Sequence, residues 1–296
     1  PSSAASDVYK RQKQMAFKNK VKEKLKTIPI KHMHFKMAVF SKLLFFCNFG
    51  EYNIRSRFCG NTHGKEDYMR RQMEIANLFD LNCTIASDLF DGCQFPWEVL
   101  PKIKGFILEL GATLPEDKFE KKGEDIWISK TAKVAPTASI TGPCIIDDGA
   151  EIRHCAFIRG SAIIGKNSVV GNSAEIKNAV IFDNVQVPHY NYIGDSVLGT
   201  HSHFGAGAVT SNVKSDRTLV TVKGDGEQIE TGLKKFGAMV GDWAEIGCNA
   251  VLCPGTVIGR NTTVYPLVCV RGLVPSSHIV KGIGNIVLKK IIGQGD

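Results

Sequence analysis

From Ile128 onward an apolar residue returns every six positions: Ile128, Val134, Ile140, Ile146, Ile152, Ile158, Ile164, Val170, Ile176 and Phe182. The same step resumes as Val240, Ile246, Leu252, Ile258, Val264 and Val270. A helix needs a period near 3.6 and an amphipathic strand a period of 2, so six fits neither alone. It fits a coil in which each six residues supply one short strand and one turn, and three hexads close a triangle. Turn-forming residues follow the apolar ones, as in Ile164-Gly165-Lys166-Asn167 and Ile258-Gly259-Arg260-Asn261. Coils of this kind stack at the ordinary strand spacing of about 4.8 Å. Their β-branched residues point into a narrow prism, where they pack well on a pleated surface. The expected fold is all-β, a parallel β-helix of hexapeptide repeats over residues 123–275.

Between the two registers the pattern slips. Pro188 takes the next expected apolar position, and Val187, Ile193, Leu198 and Phe204 continue at steps of five or six. An irregularity in a regular wall is where a side chain can be aimed at a ligand, so the slip is expected to turn His189 outward. Residues 213–236 leave the prism, with Lys223-Gly224-Asp225-Gly226 as a turn and Lys234-Lys235 as a cationic pair. A loop this long inside a compact repeat is usually functional. The tail, residues 276–296, is too weakly patterned to assign beyond a short helix or strand.

The segment before the repeat has a different character. Residues 1–72 hold 16 Lys/Arg and 5 Asp/Glu; of the whole chain's 37 and 29, that leaves 21 and 24 for the rest. The basic balance therefore belongs to the first quarter alone, and the body lacks the basic patch that nucleic acid demands. Pro1 to Gln12 resembles translated adapter sequence, and a native start near Met69 or Met73 is expected, with 1–72 a non-native or disordered leader. A genuine basic arm for an acidic partner is the alternative. Residues 73–122 are expected to form a helical cap of two amphipathic helices. Ile85, Leu89 and Phe90 lie on one face, and Trp97, Leu100, Ile103, Ile107 and Leu110 recur until Gly111. The cap is expected to shield one end of the repeat body, as solenoids require.

Nine cysteines show no C-x-x-C pair. An odd count without framework spacing suits reduced thiols in a cytoplasmic protein and argues against a cysteine metal site. The longest apolar run, around Leu43 to Phe49, falls short of the roughly 20 residues that span a bilayer.

Three stretches carry a resemblance: Asn172-x-x-Glu175-Ile176-Lys177, Val187-Pro188-His189-Tyr190-Asn191-Tyr192-Ile193-Gly194-Asp195, and Phe204-Gly205-Ala206-Gly207-x-x-x-x-Asn212. They resemble the acetyltransferase half of the bifunctional N-acetylglucosamine-1-phosphate uridyltransferase/glucosamine-1-phosphate acetyltransferases. The loop ending in Gly232-Leu233-Lys234-Lys235-Phe236-Gly237-Ala238 is similar to that of the archaeal sugar-1-phosphate nucleotidylyltransferases with amino-sugar acetyltransferase activity. The likeness covers about residues 128–275 and implies a left-handed β-helix, usually trimeric, with sites between subunits. Residues 1–127 lack the Gly-rich loop and the length of a nucleotidyltransferase domain, so no such activity is expected.

The resemblance implies an acetyl-CoA-dependent N-acetyltransferase acting on an amino sugar-1-phosphate (glucosamine- or galactosamine-1-phosphate) or a related nucleotide-sugar precursor. Histidine is the residue type that exchanges a proton near neutrality, which suits His189 as base. By resemblance Glu175 is expected to orient the imidazole, as a carboxylate does in a triad. Arg159 and Lys177 lie eighteen residues apart, one coil, and stack on one face where they suit a sugar phosphate. By resemblance Tyr192 and Asn212 position the sugar. The Ala206 N–H, flanked by Gly205 and Gly207, faces the oxyanion of the thioester. Cys248 replaces the usual serine near the thioester and is not expected to be a nucleophile. Lys234, Lys235 and Arg271 are the candidates for the coenzyme A phosphates, with charges on a solvated loop as the alternative. His203 stands where the bacterial family has asparagine, which leaves the amino sugar open. Without these neighbours a lone histidine is more often a hydrogen-bonded surface residue, and Arg159 and Lys177 could be solvated charges. The competing functions are a non-catalytic sugar-binding scaffold and a zinc-dependent carbonic anhydrase. The second needs three histidine ligands, and His154, His189, His201 and His203 lack its H-x-x-x-x-H pair. No structural metal is expected, and no nucleic acid or membrane partner.

Overall fold

The computed structural model describes residues 68–224 and 228–289. The expected leader therefore lies outside the described residues except for 68–72, as do Asp225 and Gly226 of the expected turn and the last seven residues of the tail.

The hexads fold into a parallel β-helix with three walls. The first wall stacks Ile126–Ser129, Cys144–Ile146, Ala162–Ile164, the second halves of Glu175–Ile181 and Tyr192–Leu198, then Ala238–Val240, Thr256–Ile258 and Leu273–Val274. The second runs from Lys133–Val134 through Glu151–Ile152, Val169–Asn172, Gln186–His189, His203–Phe204, Glu245–Ile246 and Thr263–Val264 to His278–Gly282. The third comprises Ser139–Ile140, Phe157–Ile158, the first halves of Glu175–Ile181 and Tyr192–Leu198, Val209–Thr210, Val251–Leu252 and Cys269–Val270. Asn167, Asn184, Asn249 and Asn261 turn corners with positive φ, a region asparagine tolerates better than most residues.

Ladder pairing places the slip earlier than the sequence suggested. Ile181 pairs with Ile164 below and Leu198 above, so Ile181 and not Phe182 takes the inward position. One residue is therefore lost between Ile176 and Ile181, and another between Ile193 and Leu198. In both coils a single strand runs from the third wall into the first, and the corner shrinks to one residue of positive φ, Asn178 or Asp195. Pro188 simply follows the inward Val187 in a strand that ends at His189. Phe182, displaced from the prism, packs at ring-centroid distances of 5.2 Å on Phe79 and 5.8 Å on Phe90.

The N-terminal segment departs from the expected pair of helices. Within residues 73–122 only Ile103–Thr113 is a sustained helix. Ile75–Leu78 is a single turn, and Leu81–Cys83, Ser87–Phe90 and Pro96–Val99 are 3₁₀ turns. Gly111 does not stop the helix but lies inside it, where an added Cβ would fall 2.5 Å from the Trp127 indole. The cap also does not close an end of the prism. It lies along the first wall, the helix against the strands Cys144–Ile146, Ala162–Ile164 and Glu175–Ile181. Side bonds fasten it there: Asp183 N–H to Cys83 O, Asp80 N–H to Asp242, and Asn178 Nδ2 to Leu100 O. The reason is that this wall is apolar on both faces, with Ile145, Ile163, Val180, Val197, Met239 and Val257 buried on its outer side.

The loop after Thr210 completes the cover. It contains an antiparallel hairpin, Thr221–Lys223 with Gln228–Glu230, whose Val220 and Val222 are buried. Val220 lies so near Gly255 that an added Cβ would meet its side chain at 2.8 Å. The prism continues past residue 275: Val280 pairs with Val264, and Asn285–Leu288 closes the second wall antiparallel.

Candidate functional site

Two neighbouring columns collect most of the expected site residues. The first is the corner between the second and third walls. His189 ends its strand there and is exposed, with Asn172 paired to it one coil earlier. Its carbonyl accepts the Gly207 N–H at 3.0 Å, which sets Ala206 on the next coil. The Ala206 carbonyl in turn accepts the Asn249 N–H at 2.9 Å, placing Cys248 on the coil after that. His189, Ala206 and Cys248 thus rise in consecutive steps. The coils approach closely, since a Cβ on Gly205 would lie 2.6 Å from the Cys248 nitrogen.

Among the described residues the Ala206 N–H meets no acceptor, and the His189 ring has no hydrogen-bond partner. Both backbones are nevertheless held. The Asn191 amide, 3% exposed, accepts the His189 N–H at 3.0 Å and donates to Gly205 O at 2.9 Å and Ala208 O at 3.0 Å. One buried side chain therefore locks the His189 corner to the corner carrying the free N–H. Sequence reasoning assigned Asn191 no role, yet a signal existed. The equivalent positions in other coils are Ala138, Ala156, Ala174, Ala208, Ala250 and Val268, so an amide there breaks an apolar column.

The second column is the outer face of the third wall. Arg159 and Lys177 stack one coil apart as expected, with the Arg159 N–H on Ile176 O. Each is already paired. Arg159 Nη1 lies 2.6 Å from Glu175 Oε1, and Lys177 Nζ lies 3.3 Å from Asp195 Oδ2. Glu175 thus departs from its expected role, because its carboxylate is committed to the guanidinium on its own face and not to the imidazole around the corner. Tyr192, paired with Glu175 in the ladder, accepts from Asn212 Nδ2 at 3.1 Å, so these two do come together. Burial first, and then the Asp195 and Glu175 carboxylates, push the Tyr192 hydroxyl up, so it remains a donor at neutral pH.

Asp195 is the second residue that sequence reasoning passed over. Its carboxylate receives Asn178 Nδ2 at 2.9 Å, Lys177 Nζ and Asn212 Nδ2, and it is 4% exposed. Its own carbonyl accepts the Gly237 N–H at 2.8 Å, tying the end of the long loop to the same corner. A buried carboxylate is tolerated when donors surround it in this way.

The remaining candidates are more dispersed. Lys234 and Lys235 are exposed just before the buried Phe236, whose N–H donates to Asn212 O. Arg271 is exposed on the third wall, four coils beyond Lys177. At the strand spacing that is about 19 Å, so Arg271 and Lys177 cannot share one phosphate. His203 lies on the outer face of the second wall with Nδ1 2.9 Å from Glu245 Oε2. A cavity of about 510 Å³ lined by Lys118, Lys130, Asp148 and Lys166 sits at a different corner, between the first and second walls. Among the described residues no group of three His, Cys, Asp or Glu side chains could hold a metal ion.

Comparison with known proteins agrees with this architecture. Residues 140–278 match the family model described as the GMPPB C-terminal domain. The chain is 30% identical over 217 residues to the bifunctional protein GlmU of Methanococcus maripaludis, an alignment covering 67% of this chain and 48% of that protein. It is 36% identical over 91 residues to the bifunctional sugar-1-phosphate nucleotidylyltransferase/acetyltransferase of Sulfurisphaera tokodaii, covering 31% of this chain and 23% of that one. A third similarity, 35% over 101 residues, is to the uncharacterized acetyltransferase YaiX of Escherichia coli, covering 34% and 44%. The chain spans about half the length of the first of these relatives, or less for the others. These similarities bear out the resemblance read from residues 128–275.

Proposed function

We propose that this chain, similar in its repeat to the sugar-1-phosphate nucleotidylyltransferase/acetyltransferases, moves an acetyl group from acetyl-CoA to an amine. The acceptor is an amino sugar-1-phosphate, glucosamine- or galactosamine-1-phosphate, or a related nucleotide-sugar precursor. The observation that carries this reading is the exposed His189 one coil from the unpartnered Ala206 N–H, both fastened by Asn191.

In this reading the His189 ring takes a proton from the amine as its nitrogen attacks the thioester carbonyl. The developing oxyanion is received by the Ala206 N–H, a donor already in place and therefore needing little reorganisation. Cys248 borders the thioester without bonding to the acyl group. The coenzyme's thiolate leaves directly, and Lys234, Lys235 and Arg271 serve its phosphates. Arg159 and Lys177 bind the sugar phosphate, with Tyr192 and Asn212 along the ring. A phosphate arriving at Arg159 competes with Glu175 for the guanidinium, and the carboxylate it releases is then free to orient the imidazole. His203, an imidazole where the bacterial enzymes have an amide, contributes to the choice of sugar.

The functional unit is a homotrimer in a cytoplasmic setting. The first wall is covered by the chain's own cap, so the second and third walls, which flank the His189 corner, are the ones left for neighbouring copies. Light scattering giving a monomer at micromolar concentration would contradict this. No helix among the described residues is long and apolar enough to cross a membrane.

The deciding experiment measures acetyl-CoA consumption over a panel of amino sugar phosphates and nucleotide-linked amino sugars. His189→Ala is expected to lower kcat/KM by about 10²–10⁴ with the oligomer unchanged. Full activity in that variant would remove His189 as base. Absence of turnover by the parent with every acceptor would leave a sugar-binding scaffold, and stoichiometric zinc would favour a hydratase.

A further inference from the structure

The described cysteines include one pair in sulfur contact. Cys253 and Cys269 stand on successive coils at the far end of the third wall, with Sγ atoms 3.3 Å apart. The ladder holds them there: Val251 pairs with Cys269, and the Cys253 N–H donates to Val270 O at 2.9 Å. Within the single chain Cys269 is half-buried and Cys253 buried, so Cys269 is the more open residue of the pair. A disulfide needs sulfurs at about 2.05 Å, so little more than an ångström separates the thiols from a bond.

We propose that Cys253 and Cys269 are a redox modification site that closes to a reversible intramolecular disulfide when the chain meets hydrogen peroxide. Cys269 acts first. Its thiolate attacks one peroxide oxygen, an S–O bond forms, the O–O bond breaks, and the departing hydroxide is protonated to water. The Cys253 sulfur then attacks the Cys269 sulfenic sulfur. An S–S bond forms, the S–O bond breaks, and the hydroxide leaves with the Cys253 proton as a second water. Two thiols have lost two electrons and one peroxide has become two waters. A dithiol reductant reverses the bond by exchange.

The surroundings suit this division of labour. Burial, then the neighbouring Cys269, pushes the Cys253 thiol up to about 11, which keeps it from reacting with oxidant on its own. The positive charge of Arg271 offsets this rise on Cys253 only in part. Cys144, by contrast, is pushed up to about 12 by burial alone and has no thiol partner among the described residues.

The test exposes the full chain to a small excess of hydrogen peroxide and follows it by intact and peptide mass spectrometry. The expected product has lost two hydrogens per chain, carries one linked peptide pair joining Cys253 to Cys269, and reverts with dithiothreitol. Cys253→Ser is expected to strand Cys269 as sulfenic acid, raising its labelling by dimedone severalfold. Cys269→Ser is expected to leave Cys253 unmodified under the same treatment. The proposal is overturned if the parent chain stays fully reduced, if Cys269 passes to sulfinic acid without a link, or if the link joins other cysteines.

Discussion

The first and third walls of the prism are made from the same repeat, yet they meet different surroundings. The residue just before each inward position is Trp127, Ile145, Ile163, Val180, Val197, Met239, Val257 or Leu273 on the first wall, and all eight are buried. On the third wall it is Ser139, Phe157, Glu175, Tyr192, Val209, Val251 or Cys269, all exposed or half-buried. A wall apolar on both faces must be covered, and the cap and the hairpin of the long loop cover it. A wall apolar on one face only is free to present charge, and the third wall carries Arg159, Glu175, Lys177 and Tyr192. The His189 corner lies at its edge. Covering and presenting are therefore divided between walls, and the outer-face residue decides which wall does which.

The sharpest way to break this contrast is to put one charge on each wall. Ile163→Asp buries a carboxylate beneath the helix Ile103–Thr113 and is expected to cost at least about 4 kcal/mol. Ser139→Asp, at the equivalent place on the third wall, is expected to stay within about 0.5 kcal/mol. Urea denaturation of both variants checks this, and equal losses would mean that the cap does not define the first wall.

A middle-sized effect is expected where the two walls join. Asp195→Ala leaves Lys177, Asn178 and Asn212 without their shared acceptor, at an expected cost of about 1–3 kcal/mol. It should also free Asn212 from the corner and so raise KM for the proposed sugar-phosphate acceptor more than it lowers kcat. A variant with unchanged stability and unchanged KM would show that this network holds nothing.

The smallest effect expected is a gain. Asp147 lies at the end of a first-wall strand, 1% exposed, with Oδ2 unpartnered among the described residues. Burial holds its carboxyl above the usual range. A folded-state value raised above the unfolded one, about 3.9, means that ionisation weakens the fold as pH climbs from the unfolded value through the folded one. Asp147→Asn is expected to stabilise by about 1 kcal/mol at pH 7, with the gain fading as pH falls toward 4. A gain that is constant with pH would assign the effect to shape and not to charge.

The coil was legible in the sequence because six-residue spacing is a local property, visible in Ile128 through Ile176 without any knowledge of partners. His189 and Ala206 were legible through a resemblance. The geometry adds how they are held, by an Asn191 amide in a column of alanines. The cap was harder to read. Ile85, Leu89 and Phe90 show helical spacing, but their segment is 3₁₀ turns pressed on Phe182 and its neighbours, where side packing overrides a short and weakly nucleated helix. Arg159 and Glu175 were assigned to different tasks through the resemblance. Their ion pair follows from two strands lying one above the other, which residue types do not reveal.

By itself the sequence determined the inward face of the prism, because the hexad period sets which residues point into it whatever surrounds the coil. It also determined that one strand in each coil is apolar on both sides, through triplets such as Cys144-Ile145-Ile146 and Ala162-Ile163-Ile164. Only the tertiary structure decided that Ile181 replaces Phe182 inside, that the cap lies along a wall and not across an end, and that Glu175 faces Arg159. Each of these depends on which residues stack across a ladder 17 or 18 positions apart. That register is set by loss of a single corner residue in each of two coils, a change too small to stand out in a linear pattern yet large enough to shift every later contact.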